Sequence, residues 1–581
     1  MRTVFWVSTM LSALCSVARS DDGSSWRFED VGAATGLDFV QRSGTAEQRY
    51  IVDVKSTGVA LLDFDGDGLL DVFLSAGSSI ERHLKREPGY GCRLYRNLGE
   101  LRFEDVTSAA QIPSDFGWVC GAAAADIDGD GRDDLLVTCI GPDRLLRNVG
   151  GRFEEITARA GLGDSGWNTS AAFADLDLDG DLDLYVCGYV QFDFANPPEH
   201  GKGFSCLWKD LTVVCGPRGF KAEPDRVYRN RGDGTFDDVS AAWGFDSVPA
   251  QFGLGVIIGD FAGDSLPDVY VANDSSPSFL FVHRGDRFEE IGYVAGVSVS
   301  EDGQEQAGMG VDSADIDGDR RMDLVKTNFE GERNNLYFNH ANESFFDAAD
   351  QSGFGPPGQD FLGWGVGVRD FNNDGVLDIF VANGHVYPQA DEVRGVMGYP
   401  QRNQLFVGQA TVSGRQKPAN ARFLEQGEKL GFTQKHVSRA AAFGDLDNDG
   451  DIDIIETHIN GRPSLYENHA PVHHKSLTLQ LSQPGLNPQA LGARVEVSIG
   501  DVKRTYEVRR NASFQASNDA RLHVGLGVQP PAGAVEVVWP DGGRERFATV
   551  EGGGLQMLSR GAGVVLAPPA GKTRLAKETK D

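Results

Sequence analysis

Asp63-Phe64-Asp65-Gly66-Asp67-Gly68-Leu69-Leu70-Asp71 decides the fold. The same nine-residue frame recurs along the chain, seven copies in all. Acidic residues stand at places 1, 3, 5 and 9. The second copy holds Asp126, Asp128, Asp130 and Asp134, and the third holds Asp175, Asp177, Asp179 and Asp183. The fifth has Asp315, Asp317, Asp319 and Asp323, and the seventh Asp445, Asp447, Asp449 and Asp453. The sixth has Asp370, Asn372, Asp374 and Asp378. The fourth keeps Asp260, Asp264 and Asp268 but has Ala262 at place 3.

This spacing is that of a calcium loop. Ca²⁺ takes six to eight oxygens at about 2.3–2.6 Å. Side chains at places 1, 3, 5 and 9 converge if the chain curls round one ion, and place 7 adds a backbone carbonyl. Glycine at place 4 or 6 permits the curl. Without a cation, four carboxylates this close repel one another. An EF-hand is excluded. It needs flanking helices and a glutamate at place 12, where this chain has Leu74 in the first copy and Val381 in the sixth. The plainer reading, an ordinary acidic turn, fails on the number of copies. Up to seven Ca²⁺ are expected, with the fourth site in question because of Ala262.

Working outward, short apolar β-prone runs flank each loop, such as Val59–Leu62 before it and Asp71–Ser75 after it. Each unit carries two further strands. One holds a Leu-Tyr-x-Asn-like block: Leu94–Asn97, Leu145–Asn148, Val227–Asn230, Leu280-Phe281, Leu336–Asn339, Leu405-Phe406 and Leu465–Asn468. The other holds a Phe-Glu-Asp-Val-like block marked by Phe103, Phe153, Phe236, Phe288, Phe346 and Phe423. Its seventh copy, Phe28-Glu29-Asp30-Val31, precedes the first loop, and no such block follows Leu465. A closed ring whose first strand completes its last blade explains the permutation. The reading is all-β: a seven-bladed β-propeller with calcium loops over 21–470, then a small C-terminal β-domain over 471–567.

These loops resemble the FG-GAP (VCBS-type) repeats of integrin α-subunit propellers. Farther on, Leu491–Val495, Arg521–Gly527 and Val537–Gly542 are similar to the ASPIC/UnbV domain. The blocks Cys215–Gly219 and Asn383–Pro388 also look like the cartilage acidic protein family, in which FG-GAP-type repeats precede that domain. The resemblance implies an extracellular, calcium-binding, adhesive or matrix-associated protein and supplies no known reaction.

The ends and the charge agree with export. Arg2, the apolar stretch from Val4 to Leu14 and Ala18-Arg19-Ser20 read as a signal peptide over 1–20, and 568–581 reads as a disordered tail. No later apolar run is long enough to span a bilayer. The protein is expected to be secreted, extracellular or periplasmic, and monomeric. A formal net charge of -31 makes nucleic acid a poor partner; an extracellular protein or glycan is the expected one. Of six cysteines beyond Cys15, two disulfides are predicted: Cys120–Cys139, which flank one loop as facing hairpin residues would, and Cys206–Cys215, close together in an insertion.

Five places past each loop's last Asp, the chain reads Ala76, Cys139, Gly188, Asn273, Asn328, Asn383 and His458. With His385, the three amides and His458 form a polar half-ring on the face away from the loops, a candidate ligand face. The plainer reading is that these side chains cap strand ends. Two Arg-Gly-Asp triplets, at 231–233 and 284–286, stand where hairpin turns are required. No catalytic frame such as G-x-S-x-G appears. The function expected is a non-catalytic binding and adhesion module; the alternative is a calcium-dependent enzyme acting on extracellular polysaccharide.

Overall fold

The computed structural model describes residues 26–567, except 46, 56, 164, 199–200, 203–204, 410–420, 500–501, 529–532 and 549–552. The signal-peptide reading over 1–20 and the tail over 568–581 lie outside the described residues. Seven antiparallel four-stranded units follow one another. Blade 1 comprises Val59–Leu62, Asp71–Ser75, Cys92–Asn97 and Phe103–Asp105. Blade 7 comprises Ser438–Gly444, Asp453–His458 and Ser464–His469, and its fourth strand is Arg27–Asp30. The register Phe28↔Asn468 repeats that of Asn97↔Phe103. The permuted Phe block therefore closes the ring, as the sequence predicts. Innermost strands pack in cyclic order, the last against the first.

The inner strands are built from small residues, such as Ala122–Ala125 and Ala440–Ala442. They converge on an axis, and a larger side chain would collide with the next blade. A Cβ at Gly310 would stand 2.0 Å from the carbonyl oxygen of Trp364. Apolar residues fill the spaces between blades. Blade 5 corrects one reading: Phe345 is buried and pairs with Asn339, while Phe346 is exposed. In a Phe-Phe pair only the register decides which ring faces the core.

Beyond the ring, the chain forms a three-stranded sheet, with Lys475–Ser482 between Leu522–Gly527 and Leu555–Ser559. A five-stranded sheet runs in the order Val502–Glu507, Arg494–Ile499, Val535–Val538, Arg544–Phe547, Val564–Val565. Leu477, Val495, Val524 and Trp539 form their core, which is continuous with apolar side chains of blades 2 and 3. These sheets sit on the aspartate-loop face. Residues 507–519 descend from them into the axis of the propeller. Ser513 exchanges backbone hydrogen bonds with Val311 of blade 5, and its hydroxyl accepts from the Val366 N–H of blade 6. The Gln515 N–H donates to Ser170 of blade 3, and Ala516–Ser517 pair in parallel with Val59–Ala60 of blade 1. Ser517 accepts from Ala124 in blade 2, and Asn518 from Phe443 in blade 7. Glu507 accepts from Asp260 at the end of blade 4's inner strand. One segment thus ties all seven blades. Phe514 at its tip lies edge-on to Trp364, ring centroids 4.8 Å apart.

The other end of the axis is also filled. Lys55 and Asp274 form a buried ion pair at 2.8 Å, with the Tyr189 hydroxyl donating to the same carboxylate. Arg439 is fully buried, donates to the carbonyls of Val54, Gly384 and His385, and stacks over Trp364.

Candidate metal centres

Each aspartate loop is first a piece of backbone architecture. The place-9 carboxylate accepts two backbone N–H groups: one from place 2 of its own loop and one from the end of the third strand. In blade 1 these are Phe64 and Asn97 on Asp71; in blade 3, Leu176 and Asn230 on Asp183. The same pair recurs at Asp134, Asp268, Asp323, Asp378 and Asp453. Place 1 accepts from N–H groups across the curl, as Asp63 does from Gly66, Asp67 and Gly68.

The asparagine of the Leu-Tyr-x-Asn block has a role that the sequence reading did not supply. Its amide donates to a carbonyl of its own loop and to the place-2 carbonyl of the preceding blade's loop. Asn148 reaches Asp133 and Phe64; Asn230 reaches Leu182 and Ile127. Asn97, Asn339 and Asn468 likewise reach the loop before theirs. Blades 4 and 6 have His283 and Gly408 at this place.

Carboxylate oxygens converge within 4.8 Å in five loops: Asp63, Asp65 and Asp71; Asp126, Asp128 and Asp134; Asp175, Asp177 and Asp183; Asp315, Asp317 and Asp319; Asp445, Asp447 and Asp453. Burial, with repulsion from the neighbouring aspartates, pushes Asp71 and Asp134 up to about 8 and Asp183 up to about 9. Asp175 and Asp445 rise to about 7 for the same reasons. Among the described residues, buried oxygens of Asp128, Asp175 and Asp317 have no hydrogen-bond partner. A convergent all-oxygen donor set with orphaned oxygens and excess negative charge fits a hard divalent cation. Asp67, Asp130, Asp179 and Asp449 stand at place 5. Arginines of the third strand partly offset the charge: Arg96 lies 2.6 Å from Asp65, and Arg147 2.5 Å from Asp128.

Two loops depart from this. In the sixth, the Asn372 amide bonds Asp374, Asp370 accepts from Asp374 and Gly375, and Asp378 serves the backbone. In the fourth, Arg494 from the C-terminal sheets reaches into the loop and donates to Asp260. Asp264 accepts from Leu266, and Asp268 keeps its two backbone donors. The guanidinium pairs with place 1 of a loop that lacks the place-3 carboxylate, and among the described residues Asp260, Asp264 and Asp268 are not one of the convergent triads, so these residues do not fit a divalent ion.

The C-terminal sheets touch other loops through their backbones and flanks. Thr505 donates to Asp315, Arg510 pairs with Asp133 at 2.7 Å, and Arg521 donates to the Asp445 carbonyl.

The polar half-ring is not an open face. Asn273, Asn328 and Asn383 are buried, and their amides donate to nearby carbonyls at Pro277, Arg333 and Arg402. His458 bonds Ser464 within its own blade, and His385 accepts from the Tyr387 N–H. Burial pushes His385 down to about 3.

Cys206 and Cys215 form a disulfide. Cys120 and Cys139 do not bond to each other and are buried thiols. Cys139 lies opposite Val119, and a bulge follows between Val119 and Ala122. The bulge displaces Cys120 from the facing position, and the two side chains enter different apolar clusters. Both Arg-Gly-Asp triplets occupy turns after the third strand, where Arg231 pairs with Asp237 and Arg284 with Glu289 and Glu343.

A seven-unit β array with acidic loops and an appended β-domain is the architecture of FG-GAP-repeat proteins. The FG-GAP-like repeat family matches residues 63–137, 128–186, 260–326 and 315–381, and the family described as ASPIC and UnbV matches 483–564. The chain therefore carries FG-GAP repeats and ends in an ASPIC/UnbV domain. It is similar to cartilage acidic protein 1 of Xenopus tropicalis, with 25% identity over 511 residues, 84% of this chain and 70% of that protein. Cartilage acidic protein 1 of Homo sapiens is 25% identical over 514 residues, 84% and 69% of the two chains. Among solved structures, an Agrocybe aegerita protein recognising non-reducing terminal N-acetylglucosamine is 17% identical, with a TM-score of 0.38, covering 65% of this chain and 82% of that one.

Proposed function

We propose that this chain is a secreted, calcium-binding propeller that acts as a non-catalytic binding and adhesion module outside the cell. The observation that carries the reading is the set of five carboxylate triads, each converging within 4.8 Å, whose three acidic groups are only partly offset by neighbouring arginines. Millimolar extracellular calcium is a suitable source of that charge. The similarity to cartilage acidic protein 1 and the Cys206–Cys215 disulfide support an extracellular setting. The propeller spans 21–470 and the C-terminal domain 471–567 in this reading, with the latter holding the blades together from the axis. The partner is an extracellular protein or glycan, and the chain acts as a monomer.

An enzyme acting on polysaccharide would draw its acid and base from the polar half-ring. His385 and His458 are at most 2% exposed and engaged locally, which favours the non-catalytic reading. The test is a glycan and extracellular-protein array probed with and without calcium. Calcium-dependent binding without turnover supports the module. Turnover of a polysaccharide, abolished by His385→Ala or His458→Ala in a folded protein, would overturn it.

A further inference from the structure

On the face opposite the aspartate loops, a cleft of about 640 Å³ opens between blade 2 and the long insertion that follows the second strand of blade 3. Its volume lies within the range of small-ligand sites, about 300–1,000 Å³. Phe192 and Phe194, from the insertion, form one wall and are only half-buried. Leaving two aromatic rings in contact with water is unfavourable unless something covers them.

These rings are held in place. Phe192 stacks on Phe220 and meets Trp167 edge-on at 6.3 Å. Phe194 lies between His83, stacked at 3.8 Å, and Trp118. The Cys206–Cys215 disulfide closes the same insertion. A wall this constrained loses little entropy when a ligand docks. Trp167 lines the cleft, is 1% exposed, and its indole N–H has no hydrogen-bond partner among the described residues. Buried donors are nearly always paired, so this N–H is left for a water or for a ligand group that reaches the back of the cleft. At the rim, Gln191, Asp193 and Lys221 are exposed and offer an amide, a carboxylate and an ammonium.

Phe192 and Phe194 meet edge to face, ring centroids 5.0 Å apart at 71°, so the wall is an aromatic corner; an aromatic ring beside donors and acceptors of both signs matches a pyranose, whose axial C–H face is apolar and whose edge carries hydroxyls. A rim of mixed sign favours a neutral ligand over an ion. We infer that this cleft binds a neutral oligosaccharide, ring face on Phe192, with Phe194 bracing that ring edge-on, and hydroxyls toward Lys221, Asp193 and Gln191. This deepens the binding-module reading and rests on it.

The probes are cellotriose, maltotriose, xylotriose and chitotriose, titrated into the full secreted chain in calcium and followed by saturation-transfer NMR and calorimetry. At least one should bind, with saturation strongest at the ring C–H protons. Lys221→Ala, at the exposed rim, and Phe192→Ala should each weaken binding about tenfold or more, with Lys221→Ala leaving the melting temperature unchanged. The inference is overturned if none of the four binds at millimolar concentration, if binding survives both variants, or if the cleft takes only peptides. A glycan or protein that binds in a calcium-dependent way but ignores the cleft variants would sink the cleft and leave the module reading intact.

Discussion

Loops 3 and 4 are neighbours built on the same backbone curl, and they balance their charge differently. Both use the place-9 aspartate in the same way: Asp183 accepts from Leu176 and Asn230, Asp268 from Phe261 and His283. Both use place 1 to close the curl: Asp175 accepts from Gly180, Asp260 from Asp264 and Ser265. The same backbone hydrogen bonds hold the curl in both loops. The difference is electrostatic. In loop 3 Asp175, Asp177 and Asp183 converge, and burial and mutual repulsion raise two of them to about 7 and about 9. In loop 4 Ala262 removes one carboxylate and Arg494 brings a positive charge from the C-terminal domain. Loop 3 also carries an arginine, Arg229, 3.1 Å from Asp177 and 2.9 Å from Asp179; what sets loop 4 apart is a guanidinium on its place-1 carboxylate together with one carboxylate fewer.

The largest effect should come from removing the external cation. Chelation with EDTA should lower the melting temperature by at least about 10 °C, because ligands that bind only the native state stabilise it, and several sites add. Differential scanning calorimetry with calcium added back checks this. An unmoved transition would break the comparison at loop 3. Next, Arg494→Ala should destabilise by about 3 kcal/mol, since it leaves Asp260 buried beside Asp264 and Asp268 without its counter-charge. That loss should be the same in kcal/mol whether or not calcium is present. The double variant Ala262→Asp with Arg494→Ala sharpens the point. It should recover stability in calcium and not in EDTA, and should bind one more Ca²⁺ than the parent by equilibrium dialysis. The smallest effect concerns the link between blades. Asn148→Ala removes both amide bonds to the loops of blades 1 and 2 and should cost about 2 kcal/mol in urea unfolding. His283→Asn in blade 4, where the asparagine is lacking, should be neutral or stabilising by up to about 1 kcal/mol.

Repetition made the propeller legible. Seven copies of one loop set the blade count, and the displaced Phe28 block gave the ring closure. Single positions were less so. Phe345 and Phe346 are chemically identical, and only the strand register assigns one to the core. Symmetric spacing paired Cys120 with Cys139, but a bulge, which has no residue signature of its own, moved them apart. The segment Arg509–Asp519 was opaque because its partners are mostly backbone groups of the inner strands, which all residues carry alike. Asn273, Asn383 and His458 end their strands and Asn328 follows one by two residues; their burial depends on contacts distant in sequence, such as those of Arg439, from the inner strand of blade 7, with the carbonyls of 384 and 385. Arg494 could have been suspected: an alanine in an otherwise acidic frame signals that something else must balance the loop.

The most direct test of the account is anomalous diffraction from crystals of the secreted chain grown in calcium. The account predicts ions at the triads headed by Asp63, Asp126, Asp175, Asp315 and Asp445, and the Arg494 guanidinium against Asp260 with no ion in loop 4. An ion held by Asp260, Asp264 and Asp268, or triads that hold none at saturating calcium, would contradict it.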